Sequence, residues 1–261
     1  MNNPISVDNA IDILQPQISV AAFAFCKEFT KDSNIFLSDN LIAIHSKASV
    51  FYPSLPSCVQ VYSIKDTSSF DVHEFKKENA IVDDLFIFAP NGVVVTNESR
   101  NIQPVETYIR YVLSESNESM ICDDIVILDT NDYQDLLNLY AETDQVRFGH
   151  HTFDSGIYVG LKANGNLIGA YGTHFINRDY GIAMTGFLAI SKKYRNRGLS
   201  NLLVNNLSHY LKANYSTVVC DISAFNTPSI KAHENAGFIS TGTVCSAYLV
   251  KGNDNASAFS Q

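Results

Sequence analysis

The chain has 261 residues, of which 46% are hydrophobic and 17% are charged, a composition typical of a soluble globular protein with a sizeable core. Because domains commonly span about 100–200 residues, this length favours two domains. The formal net charge of −9 argues against binding to nucleic acid or to an anionic membrane surface, since both require a basic field.

The cysteines favour a reducing compartment. They are widely spaced and contain no CxxC pair, which fits free thiols better than a disulfide framework or a zinc site. The N-terminal segment "MNNPISVDNAIDILQPQ" lacks the basic region and uninterrupted apolar stretch of a signal peptide, and no run reaches about 18 apolar residues. We therefore expect a cytoplasmic protein without a metal. The cysteines are Cys26, Cys58, Cys122, Cys220 and Cys245.

The first half of the chain contains short strand patterns. The stretches "LSDNLIAIHSKASVFY" and "SCVQVYSI" are rich in β-branched and aromatic residues, and "DDLFIFAPNGVVVTN" indicates two strands around a Pro-Asn-Gly turn. The stretch "PVETYIRYVLSES" has apolar residues at helical spacing after Pro104, which predicts a helix. The polar segment at 113–120 is the clearest break, so we place a first α/β domain at residues 1–115.

After the break, strands and helices alternate. The segment "DDIVILDT" predicts a strand, "DYQDLLNLYAET" a helix capped by Asp132, and "SGIYVGLKANGNLIGAYGTHFI" a hairpin through Asn164 and Gly165. A strand "DYGIAMTGFLAIS", an amphipathic helix "LSNLLVNNLSHYL", a strand "STVVCDISAF", a short helix "TPSIKAHENA" and a strand "TVCSAYLV" follow. This order predicts a mixed α/β domain at residues 120–251 and a disordered tail at 252–261.

The stretch "YRNRGLSNLL", residues 194–203, sets cations beside a glycine where the amphipathic helix begins. The first turn of a helix offers unpaired backbone N–H groups and the positive end of the helix dipole, which together suit a phosphate. Gly198 lets the backbone approach a ligand, and Arg195 and Arg197 add charge complementary to a pyrophosphate. The segment is neither a Walker motif nor a GxGxxG fingerprint. The alternative is a solvated basic connection.

A second motif, "NTPSIKAHENAGF" at residues 226–238, lies one strand downstream. Together, "YRNRGLS" and this segment resemble the two signature segments of the GNAT superfamily of acyl-CoA-dependent N-acyltransferases, R/Q-x-x-G-x-G/A and N-x-x-S/A-x-x-x-Y-E-x-x-G-F. The resemblance covers about residues 122–250 and is greatest to the C-terminal half of glycine N-acyltransferase-like proteins. It implies a GNAT fold, an α+β mixed sheet, in the C-terminal half, preceded by a smaller, degenerate GNAT-like domain.

The resemblance also implies a co-substrate, acetyl-CoA or another acyl-CoA, and a reaction without a metal. In the family, backbone amides of the loop hold the pyrophosphate, whereas the end of the preceding strand and the asparagine of the second motif bind the pantetheine arm. The CoA-binding residues implied here are Leu188, Ala189, Ile190, Arg195, Asn196, Arg197, Gly198, Leu199, Ser200, Asn226 and Ser229.

Two departures from the family affect catalysis. His233 stands where the family has a tyrosine general acid, so it is a candidate to protonate the CoA thiolate, the alternative being a histidine that only hydrogen-bonds near the sulfur. Met184 or Thr185 stands where many relatives have a glutamate general base. We name His174, at the end of the hairpin strand, as the candidate base. The alternatives are His150, His151 and Glu142. A backbone N–H near Ile190 is expected to polarise the thioester carbonyl.

The sequence therefore predicts an N-acetyltransferase that moves an acetyl or short acyl group from acyl-CoA to a primary amine of a small molecule, by direct attack in a ternary complex. The alternative is a catalytically weak GNAT-like module that acts as an acyl-CoA sensor or a protein-interaction scaffold. Acylation of protein N-termini is a further variant. The acceptor, the acyl chain length and the formation of a homodimer are left open.

Overall fold

The computed structural model divides the chain into two compact units by contact density. One unit contains Met1–Tyr108 and Thr243–Gln261, and the other contains Ile109–Gly242. The domain boundary expected at 115–120 stays a prediction, and the tail expected to be disordered lies outside the described residues beyond Gly252. The structure describes residues 3–46, 57–65, 67–96, 102–116, 122, 124–143 and 148–252.

The first unit is a mixed α/β structure. Its elements in chain order are β1 (Asn3–Ile5), α1 (Val7–Leu14), α2 (Lys27–Thr30), β2 (Asn34–Leu37), β3 (Leu41–Ser46), β4 (Cys58–Ser63), β5 (Ser68–Asp71), α3 (Val72–Glu78), β6 (Leu85–Pro90) and β7 (Val93–Thr96). Strands β1 to β4 pair antiparallel in sequence order, and β6 pairs parallel to β4. Both strands predicted around the Pro-Asn-Gly turn are present, but β7 pairs with β5 in a separate two-stranded sheet.

The helix predicted after Pro104 is wrong: these residues form strand β8, Ile102–Leu113. Ile109, Tyr111 and Leu113 pack into one core cluster with the period of two that a strand produces. Arg110 lies between them in sequence and is fully buried, where its guanidinium binds the carboxylate of Asp221. The buried ion pair and the sheet pairing therefore override the helical spacing of the apolar residues.

The elements predicted after the break are present, together with one that was not predicted, α5. They are β9 (Ile125–Ile127), α4 (Tyr133–Glu142), α5 (His150–Asp154), β10 (Tyr158–Ala163), β11 (Asn166–Asn177), β12 (Ile182–Ile190), α6 (Leu199–Asn214), β13 (Thr217–Ser223), α7 (Thr227–Asn235) and β14 (Phe238–Val250). All of them belong to the second unit except the part of β14 from Thr243 onward, which belongs to the first. The strand order is β14-β8-β13-β12-β11-β10-β9. Neighbouring strands from β9 to β12 are antiparallel, whereas β12 and β13 are parallel.

Local turn chemistry explains two junctions of this unit. The predicted hairpin is confirmed, since Asn164 and Gly165 adopt φ values of 51° and 78° between β10 and β11. Asp132 occupies the N-cap position of α4 as predicted, but its side chain caps no N–H of this helix. Asp129 accepts a hydrogen bond from the Asn131 N–H at the start of the short 3-10 turn that precedes the helix. The Asp132 carboxylate instead accepts from Asp129 N and pairs with Lys162.

Two apolar clusters hold this unit together. Helix α6 buries Leu203, Val204, Leu207 and Leu211 in one of them. The other cluster lies under α4 and includes Tyr140, Tyr158 and Phe187. All five cysteines are free thiols, and no helix in the described part of the chain is long and apolar enough to cross a membrane.

Candidate functional site

Strands β12 and β13 separate toward their carboxyl ends. Their register runs from Ile182 opposite Thr217 to Thr185 opposite Cys220. Both strands are described in full, and β12 continues to Ile190 and β13 to Ser223 without a further registered pair between them. The backbone of the last residues of β12 is therefore accessible on the side that faces β13.

Two β-bulges interrupt the pairing of β11 with β12 near the point where β12 and β13 separate. In the first, Phe187 and Leu188 on β12 lie opposite the single residue Tyr171 on β11; in the second, His174 is the extra residue on β11. Phe187 has φ of 58°, a left-handed conformation that costs a non-glycine residue about 1–3 kcal/mol. Bulges redirect side chains and are frequent beside active sites.

The connection from β12 to α6 bends the backbone around the start of the helix. Asn196 and Gly198 have φ values of 62° and 76°, and no side chain caps the first turn of α6. Glu142 fixes the entry to this loop, because its carboxylate accepts hydrogen bonds from Lys192 N at 2.7 Å and from Ser191 Oγ at 3.2 Å. Glu142, one of the alternative bases, therefore supports the loop.

The arginines of the loop are held in different ways. Arg195 Nε donates to Ile190 O at 3.1 Å, which ties the loop to the end of β12. The Arg197 guanidinium lies 5.3 Å from the centre of the Tyr194 ring and donates to Lys193 O at 3.4 Å. Arg195 is thus the loop arginine that is bound to the end of β12.

A cavity of about 460 Å³ lies between the end of β12, this loop, the start of α6 and the start of α7. All of the predicted CoA-binding residues except Arg197 line it. The full lining is Thr143, Leu188, Ala189, Ile190, Tyr194, Arg195, Asn196, Gly198, Leu199, Ser200, Asn226, Pro228 and Ser229. The structure therefore brings together residues from β12, the loop, α6 and α7 that the sequence separates by up to some forty positions.

The cavity offers donors rather than carboxylates. The first turn of α6 presents its N–H groups and the positive end of a 16-residue helix, which suits an anion. Asn226 caps α7, since its Oδ1 accepts from Ser229 N at 3.2 Å. The Nδ2 donor is therefore the group that Asn226 can offer to a ligand.

His233 is buried on α7 and hydrogen-bonds through both ring nitrogens. Nδ1 lies 2.8 Å from the carbonyl oxygen of Ser229, and Nε2 lies 2.8 Å from the hydroxyl of Tyr171. Burial lowers the pKa of His233 to about 4, and the bond to the Ser229 carbonyl raises it in part. The imidazole is thus neutral near pH 7, with its single proton on Nδ1 because a carbonyl only accepts. Its role as a general acid stays a prediction.

His174 is half-buried at its bulge and packs against Phe187, with ring centres 4.4 Å apart. The ring also covers Gly186, where any Cβ would overlap the imidazole. Of the alternative bases, His150 is exposed and stacks on Tyr133 at 3.9 Å, while the side chain of His151 is outside the description. No group of three or more His, Cys, Asp or Glu within the described ranges is placed to hold a metal ion.

Three features of the site were missed from the sequence. They are the support of the loop by Glu142, the room that Gly186 gives to His174, and the contact of Tyr171 with His233. Each depends on strand register or on a contact between distant residues. A half-buried histidine whose ring covers a glycine of the neighbouring strand can be recognised only once the register is known.

Comparisons with known proteins agree with the motifs. Residues 122–238 match the model of the acetyltransferase (GNAT) family. A relative, the SPbeta prophage-derived uncharacterized N-acetyltransferase YokL of Bacillus subtilis (strain 168), is 25% identical over 144 residues, which cover 50% of this chain and 78% of that protein.

Solved structures extend the similarity to most of the chain. A putative GNAT-family acetyltransferase from Novosphingobium aromaticivorans matches with a TM-score of 0.59 at 17% identity, covering 84% of this chain and 92% of its own. A tandem GNAT protein from the clavulanic acid biosynthesis pathway matches with a TM-score of 0.54 at 11% identity, covering 96% and 98%. These likenesses show a mixed α/β fold shared with GNAT proteins, and the paired motifs with the family match identify the C-terminal half of the chain as a domain of the GNAT superfamily of acyltransferases.

Proposed function

We propose that this protein transfers an acetyl or another short acyl group from acyl-CoA to a primary amine of a small molecule, by direct attack in a ternary complex. The observation that carries the proposal is the cavity at the end of β12, where this strand no longer pairs with β13, beside the uncapped first turn of α6. The amine is an acceptor class that the family match alone does not specify.

The lining of the cavity is complementary to two parts of acyl-CoA, the pyrophosphate and the pantetheine arm. A pyrophosphate is complementary to the N–H groups at the start of α6 and to the Arg195 guanidinium. A pantetheine arm carries amides, and these match the side of the Leu188 to Ile190 backbone that does not pair with β13 and the Nδ2 donor of Asn226. The site needs no metal for either interaction.

The transfer requires a base, a polarised carbonyl and a leaving group. An alkylammonium, with a pKa near 10.4, must lose a proton before its nitrogen attacks the thioester carbon. We assign that proton to His174, directly or through a water, because the bulges bring its ring to the level of Phe187. A backbone N–H near Ile190 stabilises the developing oxyanion. The C–S bond then breaks, and a thiolate with a thiol pKa of about 8.5 leaves without obligatory protonation. The second proton, which the attacking nitrogen must lose to become an amide, passes to water or to the departing thiolate.

The test is a transfer assay with acetyl-CoA and a panel of primary amines, in which free thiol and the mass of the N-acetylated product are measured. We expect thiol release that depends on one class of amine. We expect His174→Gln to lower kcat/KM by about 100-fold, whereas the matched His73→Gln, an exposed histidine of the first unit, leaves it unchanged.

The outcomes also separate the second candidate function. The buried Thr185 and Met184 leave β12 without a carboxylate at the place of the family base, which is the observation that favours a sensor or scaffold. Tight binding of acetyl-CoA without turnover of any amine would support that reading. If the protein neither binds acetyl-CoA nor acetylates any amine, both the transferase and the acyl-CoA sensor are contradicted.

A further inference from the structure

Four elements of the second unit meet at a buried polar network. The Tyr171 hydroxyl on β11 lies 2.6 Å from Thr185 Oγ1 on β12 and 2.8 Å from His233 Nε2 on α7. Thr185 Oγ1 also lies 3.4 Å from the carbonyl oxygen of Val219 on β13. Tyr171 and Thr185 are 0% exposed and His233 is 3% exposed. A network buried to this degree fixes the relative positions of the elements that it joins.

The network lies where β12 and β13 begin to separate. Thr185 and Cys220 form the last registered pair of β12 and β13, so the network lies at the vertex from which the two strands separate. On the other side, His233 Nδ1 donates to the carbonyl of Ser229 at 2.8 Å. Ser229 lines the cavity and donates its N–H to Asn226, which lines it as well. A continuous chain of hydrogen bonds therefore connects the vertex to the wall of the cavity.

We infer that His233 is a positioning residue that, with Tyr171 and Thr185, braces the start of α7 against the vertex between β12 and β13 and so holds Asn226 and Ser229 at the wall of the cavity. The inference rests on the proposed function, since it assumes that acyl-CoA occupies this cavity. It replaces the acid role expected of His233 with a role in binding.

The geometry distinguishes the two roles. A general acid needs a proton directed at the leaving sulfur, but the proton of the neutral His233 ring lies on Nδ1 and is donated to the Ser229 carbonyl. Nε2 faces the Tyr171 hydroxyl in the interior. Both nitrogens of the His233 ring are hydrogen-bonded and the residue is 3% exposed, so the ring has no free donor for the substrate. A substitution of His233 would instead shift α7.

The experiment compares Tyr171→Phe, His233→Phe and the double variant. For each, the Kd for acetyl-CoA is measured by calorimetry, and KM and kcat are measured with the best amine. The matched control is Tyr62→Phe, which removes an equally buried tyrosine hydroxyl, bonded to Gln60, from the first unit. Thermal unfolding of every variant confirms that it is folded.

We expect each single variant to weaken acetyl-CoA binding and to raise its KM by about 5- to 10-fold, the size of one lost buried hydrogen bond, while kcat changes less than 3-fold. We expect Kd and KM of the double variant to be close to those of each single variant, because both substitutions remove the same Tyr171–His233 hydrogen bond. Tyr62→Phe leaves Kd and KM unchanged.

The contrary result is a fall in kcat for His233→Phe with Kd and KM unchanged, accompanied by full activity of Tyr171→Phe. That result would support a general-acid role for His233 and contradict its role as a positioning residue for α7. If His233→Phe does not fold, Tyr171→Phe decides alone, since unchanged binding in a folded Tyr171→Phe also overturns the brace. If the unaltered chain fails to bind acetyl-CoA, the proposed function fails first.

Discussion

At the scale of single residues, His233 makes the stability of the protein depend on pH. Its pKa of about 4 in the fold lies below the ordinary value of 6.5, so between these values the unfolded chain binds a proton that the fold does not. Stability must then rise with pH across this window and fall as the pH drops from about 6.5 to 4. The shift corresponds to at most about 3 kcal/mol.

The prediction is measured by urea unfolding at pH 7 and pH 5. We expect the unaltered protein to lose more free energy of unfolding between the two values than His233→Phe does, since the variant lacks the group responsible. Tyr62→Phe keeps the full dependence. Equal slopes for the unaltered protein and His233→Phe would show that the imidazole titrates normally in the fold.

Gly186 gives a second prediction at this scale. A methyl group added there overlaps the His174 ring, so Gly186→Ala displaces the imidazole and costs about 1–3 kcal/mol of stability. We expect the same substitution to lower kcat. In the double variant Gly186→Ala with His174→Ala, stability recovers because the methyl enters the emptied space, but activity does not. Full activity of Gly186→Ala alone would remove His174 from the reaction.

At the scale of elements, the buried ion pair joins β8 to β13, a contact that the sequence did not reveal. Arg110 is 0% exposed and its guanidinium binds both carboxylate oxygens of Asp221. Removal of one partner leaves a buried charge uncompensated, so Asp221→Asn is expected to cost about 3–5 kcal/mol.

The matched control for this prediction is Lys251→Ala, which breaks the pair with Asp84 at the surface of the first unit, where the lysine side chain is 52% exposed. We expect that change to cost less than about 1 kcal/mol. Chemical unfolding of both variants measures the difference. Equal losses would contradict the account of β8 as a strand fixed by its buried arginine.

The elements differ in how much of them the sequence can predict. The hairpin after β10 was predictable because Asn164 and Gly165 favour the left-handed turn that joins two alternating strands. Strand β8 was not, since its apolar spacing fits a helix equally well and the partner of Arg110 lies 111 residues away. The lining of the cavity followed from the two motifs, whereas the bulges and the contacts of His174 depend on strand register.

At the scale of the whole molecule, the two units differ at the helix starts that could hold a phosphate. In the first unit, α3 starts at an Asp71 cap with Glu74 in its first turn, and these carboxylates oppose a phosphate where α6 of the second unit favours one. We therefore expect one acetyl-CoA per chain, measured as the stoichiometry of a calorimetric titration. Two equivalents would show that the first unit binds CoA as well.

The most direct test of the central claim is the affinity for acetyl-CoA of the unaltered protein, Gly198→Asp and Gly165→Asp. Both glycines have a left-handed φ, 76° and 78°, and open space around them, so the two substitutions introduce similar strain and the same charge. We expect micromolar binding, about −8 kcal/mol, that is lost in Gly198→Asp and kept in Gly165→Asp. Equal binding by all three would contradict the assignment of the β12 to α6 loop as the site of the CoA pyrophosphate.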